Sequence, residues 1–77
     1  MKWPKHDNMR FKYSKHADVL YIKLSSLDVS ESDQEKPGVI IDYAENGEIA
    51  GIEVLMASKR VDQVNGVLYE LAWEKRA

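Results

Sequence analysis

Two carboxylates in this chain stand close enough in a strand register to act together. Asp42 and Glu53 belong to two β-branched runs, Val39-Ile40-Ile41-Asp42-Tyr43 and Ile49-Ala50-Gly51-Ile52-Glu53-Val54-Leu55, joined through Asn46-Gly47. Asn-Gly tolerates the positive φ angles of a two-residue hairpin turn. That turn sets Ile41 opposite Ile52, Val39 opposite Val54, Tyr43 opposite Ala50 and Asp42 opposite Gly51, so the two acids lie diagonally on one face; a three-residue loop with a bulge at Gly47 is the competing register. Such a pair can begin a cation site or divide acid and base roles. No third ligand is identifiable, so the expectation is no metal centre, no cofactor and no catalytic residue, with Asp42 and Glu53 the only metal candidates.

The other polar positions have structural readings. Asp18 suits a turn closed by its own side chain, and Ser58 suits a helix cap. His6-Asp7 and His16-x-Asp18 lack metal-ligand spacing and read as surface histidines. There is no Cys, which excludes a disulfide, a thiolate nucleophile and Cys-ligated zinc, and which fits a reducing cytoplasm. A phosphate-cradling glycine loop, Gly-x-Ser-x-Gly and His-Glu-x-x-His are all missing.

The elements that would hold these residues follow from hydrophobic period. Residues 1–8 read as a frayed N-terminus and residues 9–77 as a single domain. Alternation of apolar and polar residues predicts strands over about 9–13 and 19–24, a marginal acidic edge strand over 29–35, and the hairpin strands 38–44 and 48–55. From Ala57 the period changes: Ala57, Val61, Val64, Val67, Leu68, Leu71 and Ala72 fall within an arc of about 140° on a helical wheel. This predicts an amphipathic helix over about 58–75, weakened or split at Asn65-Gly66 because glycine is a poor helix former. The expected fold is α+β: a four- or five-stranded antiparallel meander with the C-terminal helix packed on one face.

Charge is unevenly spread. Residues 1–27 carry six Lys/Arg against two Asp, whereas residues 28–53 carry eight acids against Lys36. Arg10, Lys12, Lys15 and Lys23, with Tyr13 and Tyr21, would suit a nucleic acid only if more cations converged. The overall net charge of −2 argues against that partner. No apolar run approaches the roughly 20 residues of a membrane span, and the first residues lack a signal-peptide core, so a cytoplasmic protein is expected. A chain of 77 residues removes only about 60% of its unfolded surface from water on folding, which makes association with itself or another protein the expected mode of action. Tyr69 and Trp73, four residues apart beside the apolar stripe, are the candidate partner contacts, together with Arg10 and Lys12.

Two segments, Tyr13 to Ser25 and Gly38 through Ser58, resemble the bacterial family called domain of unknown function 2283. The likeness rests on Ala17-Asp18-Val19-Leu20-Tyr21-Ile22 and on Gly38-Val39-Ile40-Ile41-Asp42-Tyr43 continuing to Gly51-Ile52-Glu53-Val54-Leu55 and Ala57-Ser58. Ser14 replaces the usual acid after the tyrosine, and Ala44 replaces the usual Asp or Asn after Asp42-Tyr43. The resemblance implies a small stand-alone bacterial protein with no settled activity. Some members stand beside toxin-like genes, so an antitoxin-like role is one expectation and a small metal-dependent enzyme another; a non-enzymatic interaction module is the leading one.

Overall fold

Alternating side chains produce five strands: β1 (Arg10–Ser14), β2 (Val19–Lys23), β3 (Val29–Lys36), β4 (Val39–Ala44) and β5 (Ile49–Leu55). They are followed by a single helical turn, α1 (Ala57–Arg60). The structure is a computed structural model, and it describes residues 9–72. All neighbouring strands are antiparallel, in the order β1-β2-β5-β4-β3. The five-stranded antiparallel sheet is the one expected, but it is not a meander. After the first hairpin the chain crosses past β5 and β4 before β3 begins, so β2 pairs with β1 and β5 rather than with β3.

The crossover is short. Residues 24–28 carry the chain past two intervening strands, a lateral distance of about 14 Å at ordinary strand spacing, which leaves little slack. Its start is held by Leu24, whose backbone N–H donates to the Ala50 carbonyl at 2.8 Å. Its far end is held by the Lys23 ammonium, which donates to the Leu27 carbonyl. This contact explains why Lys23 is buried: its stem lies under the crossover and its charge is satisfied by a backbone oxygen.

The β4–β5 connection corrects the expected turn. Ala44 N–H donates to the Glu48 carbonyl and Gly47 N–H to the Ala44 carbonyl, closing a three-residue loop in which Gly47 sits at φ 89°. Tyr43 therefore faces Ile49 rather than Ala50, and an irregularity beside Asp42 and Tyr43 absorbs the extra residue. Beyond it, Asp42 opposite Gly51, Ile41 opposite Ile52 and Val39 opposite Val54 all follow.

The largest departure lies after β5. A helix over 58–75 is expected, but among the described residues of that span and its approach only Ala57–Arg60 is helical, Val61 to Ala72 has no regular element, and residues 73–75 lie outside the described residues. A lone amphipathic helix of this length draws most of its stability from packing its apolar stripe. Here Val67, Leu68, Tyr69 and Leu71 are exposed to solvent, so that support is lacking. Ser58 does not cap the turn either. Met56, at φ 51°, occupies the N-cap without a side-chain cap bond.

The registers divide the sheet into two faces. One carries two apolar rows, Phe11–Ile22–Ile52–Ile41 and Tyr13–Leu20–Val54–Val39, each running across β1, β2, β5 and β4. The other carries Arg10–Lys23–Gly51–Asp42 and Lys12–Tyr21–Glu53–Ile40 in the corresponding rows. Among the described residues, the buried apolar side chains are only Val19, Ala44, Ala50 and Ala57, and no large side chain is fully buried. A single sheet of this kind leaves its apolar face half open.

Candidate functional site

The acids expected to lie together do so. Asp42 is buried on the polar face, and its Oδ1 accepts a 2.6 Å hydrogen bond from the Ser32 hydroxyl on β3. Gly51, directly opposite on β5, leaves the room the carboxylate uses: a Cβ there would lie 3.5 Å from Asp42 Oδ2 and only 2.8 Å from the Ile22 carbonyl oxygen. The close approach at Gly51 thus comes from the neighbouring strand β2. Glu53 completes the pair. Partial burial, a hydrogen bond to Asp42 and the charge of Asp42 together push its carboxyl up to about 7. Near neutral pH the Glu53 carboxyl is therefore about half protonated.

With its carboxyl near 7, Glu53 can donate or accept a proton. Among the described residues no third His, Cys, Asp or Glu converges with them in a metal-binding group. A cleft of about 280 Å³ among the described residues opens on the opposite face, between Phe11, Tyr13 and Leu20 on the sheet and the segment Gln63–Val67. Acid pair and cleft are therefore separated by the sheet itself.

A second polar cluster was not foreseen as a unit. Asp18 ends the β1–β2 turn at φ 54°, in the left-handed region that Asp tolerates better than most residues. Its Oδ1 accepts from the Tyr13 hydroxyl at 2.7 Å and from the Ser58 backbone N–H at 2.9 Å, and its Oδ2 accepts from the Ser58 hydroxyl at 2.7 Å. The Ala57 N–H adds a 3.0 Å bond to the Asp18 carbonyl. The hydrogen bonds from Tyr13 and Ser58 hold the Asp18 carboxyl below its ordinary value, while the bond to Asp18 raises the Tyr13 phenol. Asp18 thus clasps the first hairpin to the start of α1. The signal available in the sequence was the pairing of a turn Asp with a Ser after an apolar strand, but no local rule connects residues so far apart.

The expected partner contacts separate. Arg10 and Lys12 lie on β1 with their partners Lys23 and Tyr21 on the polar face. Tyr69 is exposed in the segment after α1, and Trp73 lies outside the described residues. Lys23, placed in the outward basic set by sequence, is instead buried beneath the crossover. What sequence reasoning missed is that the expected Ile41–Ile52 pair continues through Ile22 to Phe11 and that this row stays half open, because a helix was expected to roof it.

The fold and the clasp define a small single-sheet domain closed at one corner by Asp18 and Ser58. Residues 10–58 match the family described as "Protein of unknown function (DUF2283)", and the chain belongs to that family. No curated protein and no solved structure matches it. The matched region begins with β1 and ends at Ser58, so it contains the whole sheet and both halves of the clasp. No described helix is long and apolar enough to cross a membrane.

Proposed function

We propose that this chain is a non-enzymatic protein-interaction module of the bacterial cytoplasm, which docks another polypeptide on the apolar face of its sheet. The observation that carries this reading is the row Phe11–Ile22–Ile52–Ile41, in which Phe11 is 45% exposed and the three isoleucines are only half-buried. Apolar surface gathered on one face of a small domain gains free energy when it is covered, at about 25 cal/mol per Å². The acid pair supports an enzyme less well, because it stands on the other face from the cleft and one Asp42 oxygen already serves Ser32.

Side-chain oxidation by hydroxyl radicals tests the reading. Phe11, Ile22, Ile41 and Ile52 are expected to be protected in the native cell extract relative to the urea-unfolded chain by more than their half-burial in a single copy explains. Oxidation at the single-copy level, both in extract and in concentrated purified protein, overturns it.

A further inference from the structure

We propose that the occupant of the apolar face is a second copy of this chain, whose residues 67–72 lie across the row Phe11–Ile22–Ile52–Ile41 while the first copy returns the same segment. The proposal rests on the interaction-module reading and names its partner.

Each chain carries both an unfilled seat and an unplaced lid. The lid is the segment after α1: Val67 is 61% exposed, Leu68 82%, Tyr69 71% and Leu71 80%. These are apolar side chains in a stretch with no regular structure, and nothing within the described chain buries them. The seat is the half-open row of four apolar residues. Within one copy the two meet only at the edge, where Gln63–Val67 approach Phe11, Tyr13 and Leu20 and leave the cleft between them. The central residues Ile52 and Ile41 do not line that contact.

The exposed area suits a dimer. Met9, Phe11, Val67, Leu68, Tyr69 and Leu71 together leave on the order of 800 Å² in water, which is what one partner contributes to a standard interface. Exchange of identical segments about a two-fold axis fills both seats at once and leaves no open valence. The edge of the sheet at β3 is a poorer route to self-association. Glu31, Asp33 and Glu35 line that fully exposed strand, and two such edges repel each other. A second copy also supplies what the described residues of one copy lack, a place to bury large side chains fully, and a small domain gains stability from association in this way.

The absence of Cys makes the test direct. Ile41→Cys and Leu68→Cys variants are prepared separately, mixed and oxidised. The expected result is a covalent heterodimer of the two variants, formed well above the level of a control pair with the cysteine at exposed Ser30. Light scattering on the unaltered chain is expected to give twice the 8.9 kDa of one copy, and Leu68→Asp with Leu71→Asp is expected to halve that mass. These two positions are exposed in the single chain, so the double variant should keep its strand signature by circular dichroism; if it does not, the cross-link between the cysteine variants decides alone.

A monomer at all concentrations, or no heterodimer above the control, overturns the second copy as occupant. Should the face then be protected only in cell extract, the interaction module stands with a different protein, such as a toxin-like one, in the seat. Should it be protected nowhere, both readings fall.

Discussion

Asp18 and Ser58 are joined by two hydrogen bonds, one from the Ser58 backbone N–H and one from its hydroxyl, to the two oxygens of a single carboxylate. The same carboxylate holds the Tyr13 hydroxyl, so one side chain fixes the end of β1 and the start of α1 relative to each other. Asp18→Ala is expected to release both and to destabilise the domain more than Ser58→Ala, which leaves the backbone N–H bond in place. Asp18→Asn, which tolerates the left-handed backbone and keeps an acceptor, should fall between them. Thermal unfolding of the three variants checks the order, and amide exchange at Ala57 and Ser58 should rise first in Asp18→Ala.

The Asp42–Glu53 pair gives stability a pH dependence of definite sign. Glu53 has its carboxyl raised to about 7 in the folded state, above the 4.5 of an unperturbed Glu. Between those values the folded chain holds a proton that the unfolded chain has lost. The contribution is therefore full below the unfolded value and disappears as pH rises through about 7. Urea midpoints should fall from pH 5 to pH 8, and Glu53→Gln should flatten that slope. A slope unchanged by Glu53→Gln would show that the proton resides elsewhere. Asp18, whose carboxyl is lowered, acts in the opposite sense and in a more acidic window: its contribution is present above 3.8 and is lost as pH falls below it.

Two glycines are required for different reasons. Gly51→Ala places a methyl 2.8 Å from the Ile22 carbonyl oxygen, a backbone atom in the β2–β5 pairing that cannot move without separating strands. The expected cost is about 2–3 kcal/mol, with faster amide exchange along β2. Gly47→Ala meets no atom within 4 Å, and its cost of about 1 kcal/mol comes from the backbone alone, at φ 89°. Chemical denaturation should rank the first well above the second, and Gly47→Asn should recover part of the loss because Asn accepts that conformation.

Lys23→Met retains the apolar stem under the crossover and deletes the donor to the Leu27 carbonyl. Leaving that oxygen unsatisfied should cost about 1–2 kcal/mol. Hydrogen exchange is expected to accelerate between Leu24 and Asp28, while the β4–β5 hairpin, held by its own turn, stays unchanged. Uniform acceleration across the sheet would mean that Lys23 supports the core rather than the crossover.

The antiparallel sheet was legible because its signals are local. Alternation marks Val19–Lys23 and Val39–Ala44, and Asn46-Gly47 with its flanking β-branched residues aligns Asp42 with Gly51 even though the loop has three residues rather than two. Asp42 and Glu53 could be paired for the same reason. The strand order was not legible, since β2 joins β5 through contacts such as Ile22 with Ile52 that no short-range rule announces. The clasp was hidden similarly: Asp18 reads as a turn residue and Ser58 as a cap, and only the folded chain shows that they serve each other. The helix after Ala57 failed for a different reason. Its apolar period records a demand for a packing surface, and the described chain does not meet that demand between Val61 and Ala72.

The crossover before β3 also divides the chain kinetically. Residues 10–23 and 29–55 can each form strand pairs with near neighbours in sequence, whereas the seam between them joins Val19 to Leu55 and Lys23 to Gly51. Closing that seam carries the loop entropy of the whole fold, so nucleation in either half should be rapid and their zipping together rate-limiting.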